Sequence, residues 1–231
     1  MSSIEIRLIE HPTDADIDAA VRLLACVFKG EHVLEYATGG NPDLYDLYFR
    51  GQMEEAKFDS DGRLYLAVSH EDGEEERVVG AAAWTVSDMS RMWPEAVQKL
   101  ASEFDERLEP HVRDWWHSQL VPPVTALLCQ HTNRVWHLKY LGVLPNYRRK
   151  GIGKALVLPL RDQAKAEGWN FSLLTQTLDN VRIYESWGFR IDRTTIITGG
   201  PSGDIIAYLM IDGFGTDQRR DNGPLDPVVQ T

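Results

Sequence analysis

Apolar and polar residues alternate at Ile4-Glu5-Ile6-Arg7-Leu8, which predicts a first strand. Behind Pro12, Thr13 or Asp14 is placed to cap a helix through Phe28, with Ile17, Val21, Leu24 and Phe28 at helical spacing. Gly39-Gly40-Asn41-Pro42 breaks the chain. A second helix is expected from Asp43 to Ala56, turning Leu44, Leu47, Tyr48 and Met53 inward. Two apolar runs follow, Arg63–Val68 and Val78–Val86, joined by a charged turn containing Gly73, and they read as a hairpin. Small residues from Gly80 to Ala83 suit a strand approached closely by its neighbours, and Gly80 allows a bulge.

From Glu95 to His117 the pattern is helical, with Pro94 at a permitted early position and Pro110 predicting a break midway. Trp93, Phe104, Trp115 and Trp116 are its large apolar groups, Glu103, Asp105, Glu106 and Glu109 its solvated face, and Val121-Pro122-Pro123 is expected to end it. A strand-like run then closes at Val143, and Pro145-Asn146 turn the chain. The next helix is expected from Gly153 to Glu167, kinked at Pro159 and stopped by Gly168. Asn170–Thr175 reads as a strand. Asp179 reads as the cap of a helix that carries Asn180 and Tyr184 on one face and ends at Gly188. Phe189–Ile197 and Ile205–Met210 are two last strands, and the tail from Asp212 onward is polar, with Gly and Pro.

The chemistry concentrates where the 143 strand meets the 153 helix. Arg148-Arg149-Lys150 precede Gly151-Ile152-Gly153-Lys154. Two glycines at a strand-to-helix turn leave backbone N–H groups uncovered, and the helix N-terminus adds its positive end. Adjacent cations supply further donors, so the turn suits a phosphorylated ligand. It is not a P-loop, because Ala155 rather than Ser or Thr follows Lys154. It also lacks the first glycine of a dinucleotide fingerprint.

The turn resembles the pyrophosphate loop of the GCN5-related N-acetyltransferases (GNAT), Q/R-x-x-G-x-G/A, in Arg148 to Gly153. Leu141, Val143 and Pro145 match the preceding L-x-V-x-P, and Asn180, Tyr184, Gly188 and Phe189 match the family's N-x-x-x-Y-x-x-x-G-F. The resemblance covers roughly residues 4–211, leaving about 89–130 as a helical insertion between the third and fourth strands. It implies an α/β fold with a mixed, mostly antiparallel central sheet of six or seven strands flanked by helices. One acetyltransferase domain would occupy residues 1–212, with a polar tail over 213–231.

Activity follows from the same resemblance: direct acetyl transfer from acetyl-CoA, as co-substrate, to an amine. The strand backbone of Leu141, Gly142 and Val143 would pair with the pantetheine arm. Arg149 through Lys154, counting Lys150, Gly151, Ile152 and Gly153, would hold the pyrophosphate by backbone N–H groups. Arg148, Arg149 or Lys150 would reach the 3′-phosphate, and Asn180 the pantetheine arm or a water. Tyr184 matches the tyrosine whose hydroxyl approaches the CoA sulfur, and a tyrosine is protonated at neutral pH. The family often keeps a Glu or His four residues before the valine, where this chain has Lys139, a poor base unless desolvated. His137, two residues earlier, is the candidate base, with carboxylates of the early helices or the insertion as alternatives. The segment from Glu31 to Tyr48 would form one wall of the acceptor site, with Tyr36, Tyr45 and Tyr48 placed to line it.

Composition narrows the rest. The formal net charge is −11, which argues against a general nucleic-acid binder and makes the basic turn a local feature. The sequence has no run of 18 apolar residues, so a cytoplasmic protein with no membrane association is expected. Cys26 and Cys129 lie far apart in apolar settings and are expected as buried free thiols. No metal is expected. The insertion suggests a pocket closed over a small or medium amine, or a contact in a homodimer. A peptide or protein N-acetyltransferase and a non-catalytic acyl-CoA sensor are the alternatives.

Overall fold

The computed structural model describes residues 3–58, 62–70, 73, 75–86, 93–128, 135–200 and 203–212. Among the described residues seven strands form one sheet: β1 (Ser3–Ile9), β2 (Arg63–His70), β3 (Arg77–Val86), β4 (Val135–Val143), β5 (Asn170–Thr175), β6 (Arg190–Gly200) and β7 (Gly203–Asp212). Their order is β1-β2-β3-β4-β5-β7-β6, with every pair antiparallel except β4 and β5. A parallel pair needs a crossover, and the helix α7 (Ile152–Glu167) supplies it. This agrees with the mixed, mostly antiparallel sheet expected from sequence.

Alternation along the central strands feeds two cores. Ile152, Leu156, Val157 and Leu160 of α7 pack on Tyr65, Ala67, Trp84, Trp136, Leu138 and Phe171. The opposite face carries α1 (Asp14–Val27) and α3 (Tyr45–Phe58), whose Ile17, Val21, Leu24, Phe49 and Met53 meet Leu64, Leu66, Ala81 and Ala83. Thr13 and Asp16 form a capping box that starts α1. Gly80 is closely approached, as its small size suggested: a Cβ there would lie 3.1 Å from Leu156 and 3.2 Å from Ala67. The adjoining β2–β3 bulge makes Val79 the unpaired residue.

Between β3 and β4 the chain forms α4 (Glu95–Arg107), α5 (Pro110–Trp115) and α6 (Val121–Leu128). Pro110 opens α5, as its break signal predicted. Pro122 and Pro123 do not end the segment. A proline ring clashes with the carbonyl four residues back, here Ser118 and Gln119. Those two residues sit in a π turn, Trp116–Leu120, whose wider winding relieves the clash and lets the helix run on into α6.

Other expectations are corrected in detail. A short helix, α2 (His32–Thr38), precedes Gly39 and carries too few turns for its period to stand out. The cap of α8 (Leu178–Glu185) is Thr177, whose hydroxyl accepts from Asn180 N–H, so Asp179 is a first-turn residue instead. By contrast, α7 runs through Pro159 to Glu167 and stops at Gly168 as expected, with the proline on its exposed side. Cys26 is exposed rather than buried, and Cys129 lies outside the described residues, as does the tail from 213. Among the described residues no helix is long and apolar enough to cross a membrane.

Candidate active site

β4 and β5 pair only over Val135–Leu138 and Asn170–Leu173. Beyond that point β4 runs on to Val143 and stays paired to β3, while β5 continues to Thr175 against β7. The two parallel strands therefore part, and the β4 backbone from Lys139 to Val143 has one edge without β5. A strand edge of this kind offers N–H and C=O groups to an extended ligand arm.

The basic turn lies at the end of that edge. Arg149 has φ 62° and Gly151 φ 80°, so the turn is built from two left-handed residues, one of them a non-glycine. Arg148 Nε donates to Val143 O at 3.1 Å, fastening the turn to the end of β4. The first backbone bond of α7 that enters from Gly151 is Ala155 N–H to Gly151 O. The N–H groups of Ile152, Gly153 and Lys154 stand ahead of the helical ladder, and among the described residues no side chain caps them. A Cβ built on Gly151 meets nothing within 4 Å, so a side chain at this position has room. Lys154 is exposed, and the Lys150 ammonium sits 5.0 Å from the centre of the Tyr147 ring.

Several residues picked from the sequence turn out to pack. Ile152 is buried in the α7 core, which leaves only its backbone to face a ligand. Gly142 is small because α1 crosses it: a Cβ there would lie 2.9 Å from Leu24. Leu141 and Val143 are half-buried against the α7 core. Gly153 faces the Trp187 ring, 3.3 Å from where its Cβ would be.

Tyr184 lies on α8 behind this floor, its ring edge-on to Trp187 at 5.3 Å and to Phe189 at 5.9 Å. Burial pushes its pKa up to about 12, so the hydroxyl stays protonated through the neutral range. Asn180, one turn earlier, is exposed.

His137 falls inside the closed part of the strand pair, buried and in register with Thr85 on β3 and Ser172 on β5. It alternates with Trp136 and Leu138, so it occupies the α1/α3 side of the sheet. Its Nδ1 shares a 2.9 Å hydrogen bond with Ser172 Oγ.

On the same side Tyr48 and Lys139 come together with Glu55 and Tyr140, two residues that the sequence pattern did not single out. Glu55 of α3 is buried and ion-paired to Lys139, and Tyr48 and Tyr140 share a hydroxyl contact at 2.5 Å. Burial raises both tyrosines, Tyr140 well above its ordinary value, and the Glu55 carboxylate adds to this. The available signal was spacing: Tyr48 and Glu55 are seven apart, two turns along one helical face.

Aromatic side chains cover this face. Tyr48 meets Phe104 at 5.6 Å and Trp116 at 6.1 Å, joining α3 to the helical segment. Trp115 Nε1 donates to Thr198 O on β6 at 2.7 Å, and Tyr36 of α2 lies against Gly200, where a Cβ would come within 2.5 Å of the ring. Of the three tyrosines expected to line a wall, Tyr48 and Tyr36 belong to this cover. Tyr45 instead donates its hydroxyl to Glu35 within the α2–α3 region.

Residues 119–191 match the family model described as the acetyltransferase (GNAT) domain, a span from the π turn through the basic turn and α8 to the start of β6. Solved structures share the architecture. The Drosophila melanogaster polyamine N-acetyltransferase, which catalyses formation of N-acetylagmatine, superposes with a TM-score of 0.59 at 14% identity, covering 91% of this chain and 100% of its own. A Corynebacterium glutamicum protein described as histone acetyltransferase HPA2 and related acetyltransferase gives 0.55 at 19% identity, covering 92% and 98%. Arabidopsis thaliana NAA60 in complex with acetyl-CoA gives 0.54 at 15% identity, covering 90% and 97%. At these identities the structural likeness is one of fold. The family match thus covers residues 119–191, the region of the motifs, and the fold of these acetyltransferase structures extends over the rest of the chain.

Proposed function

We propose that the protein transfers an acetyl group from acetyl-CoA directly to the amine of a small or medium molecule. The observation that carries this is the parting of β4 from β5 after Leu138 and Leu173, with the uncapped start of α7 at its end and Tyr184 packed behind. The pyrophosphate is assigned to the backbone of Arg149–Lys154 and the pantetheine arm to the β4 edge at Leu141–Val143. Asn180 is assigned to the arm from the α8 side. The cations Arg148, Arg149 and Lys150 serve the phosphates.

In the reaction the amine nitrogen attacks the thioester carbonyl carbon. The N–C bond forms, the C–S bond breaks, and the thiolate takes a proton from the Tyr184 hydroxyl. His137 is assigned the amine proton, with Ser172 fixing its ring. A neutral amine is the nucleophile, so protonation of the base as pH falls removes its function. His137→Ala is therefore expected to slow turnover by about 10²-fold and to alter the acidic limb of the pH–rate profile. An unchanged rate and profile would remove His137 from the reaction.

A small acceptor is favoured by the cover on the α1/α3 face. Contacts from Tyr36 to Gly200 and from Trp115 to Thr198 join α2, the helical segment and the β6–β7 hairpin. An extended peptide would have to part these elements to lie across the sheet. The aromatic rings around Tyr48 suit an amine, which recognises ring faces. The test is a turnover screen of acetyl-CoA against an amine library that includes peptides, reading free thiol. Small amines are expected to lead it, and turnover confined to peptides would overturn the acceptor class.

A further inference from the structure

β3 and β4 slip by one residue. Ala83 pairs with Tyr140 and Trp84 with Leu138, so Lys139 has no partner on β3. The last β4–β5 pair is Leu138 with Leu173, one residue before. A bulge bends its strand, increases local twist and can end pairing. The bend at Lys139 and the opening of the two strands are thus one feature of the backbone.

Two side chains beside the bend are tied to the same helix. The Lys139 ammonium is ion-paired with Glu55 of α3 and lies 5.3 Å from the centre of the Trp93 ring. The adjacent residue, Tyr140, contacts Tyr48 of α3 through the hydroxyls. Neighbours in a regular strand point to opposite faces, yet 139 and 140 both reach α3. The ion pair is well shielded: the Glu55 side chain is 7% exposed and that of Lys139 16%. Removing one member would take a charge partner from the other in a shielded site.

We propose that Glu55 and Lys139 are a positioning pair that holds the β4 bulge, and through it the width of the opening that takes the acyl-CoA arm. This rests on the acyl-CoA reading above. Neither residue touches the reacting atoms; both act through the backbone of 139–143. The pair is therefore expected to govern acetyl-CoA binding and the placement of the thioester, and to leave acceptor binding alone.

Five variants test this: Lys139→Met, Glu55→Gln, Lys139→Arg, the exchange Glu55→Lys with Lys139→Glu, and the apolar double Glu55→Met with Lys139→Met. The measurements are acetyl-CoA affinity by calorimetry, KM for each substrate and single-turnover rate, with thermal midpoints recorded for all. The two broken-pair variants and the apolar double are expected to bind acetyl-CoA more weakly and to transfer about 10²-fold more slowly, the scale of a misplaced reactant. Lys139→Arg and the exchange are expected to recover most of both, and the acceptor KM should stay put throughout. Folded broken-pair variants with unaltered affinity and rate would overturn the proposal, as would a loss seen only in the acceptor KM. Should the broken-pair variants fail to fold, the apolar double decides: retained affinity and rate overturn the proposal, and their loss supports it. Failure of the unaltered protein to bind acetyl-CoA would instead overturn the cofactor assignment, so the two failures are distinguishable.

Discussion

Tyr184→Phe is expected to leave acetyl-CoA affinity and the thermal midpoint almost unchanged while slowing the single-turnover rate by roughly 10²- to 10⁴-fold. The variant deletes one hydroxyl and keeps the ring that packs edge-on to Trp187 and Phe189. On the proposed mechanism, what it removes is the proton for the departing thiolate. A hydroxyl whose pKa is pushed up to about 12 is still protonated at every pH where the protein would be assayed, so it contributes no basic limb there. Its effect on folding has a definite sign. The folded value lies above the ordinary value near 10, so the folded state holds the proton more tightly. That contribution to stability is complete below about pH 10 and is lost as pH rises toward about 12. Tyr184→Phe should therefore flatten the alkaline stability profile only in that window. Single-turnover rates are the proper comparison, because product release can hide a chemical step in steady-state turnover. A variant that transfers at the unaltered rate would make Tyr184 a packing residue.

The second large effect is expected at Gly151. Gly151→Trp puts an indole at the residue that precedes the N–H groups of Ile152, Gly153 and Lys154, where a built Cβ meets nothing within 4 Å, and acetyl-CoA binding should be abolished. A side chain at φ 80° also strains the backbone, which alone costs about 1–2 kcal/mol. Gly168 supplies the control. It ends the same helix at φ 72°, again with nothing within 4 Å of a built Cβ. Gly168→Trp carries comparable backbone strain at the far end of α7 and should bind acetyl-CoA normally. Calorimetry on the two variants separates loss of the site from loss of stability. Unaltered binding in a folded Gly151→Trp protein would remove the turn from the cofactor site.

Much of this was legible in the chain itself. The sheet could be read because its strands carry continuous or alternating apolar runs, and α1 because Thr13 stands before a clear helical period. The turn at 148–154 could be read because glycine, proline and basic residues occur together in a fixed order. What escaped depends on contacts distant in sequence. Glu55 and Lys139 are 84 positions apart, and nothing local to either marks the pair. The π turn before Pro122 was hidden because proline is read as a helix stop when the winding behind it is unknown. Helix α2 has seven residues, too short for its period to rise above the surrounding chain. Gly142 hides a further distant contact: a side chain there would meet Leu24 of α1, far away in sequence.

Single-turnover transfer from labelled acetyl-CoA bound to the protein, started by adding an amine and followed by mass spectrometry and free-thiol release, addresses the proposed reaction most directly. The expected result is one acetylated amine per thiol released. Gly151→Trp should give neither product, and Tyr184→Phe should give both in the same ratio but slowly. Stable acetyl-CoA binding with no acetyl transfer to any amine would contradict catalysis and leave an acyl-CoA-binding protein; transfer that survives unaltered in folded Gly151→Trp would contradict the site.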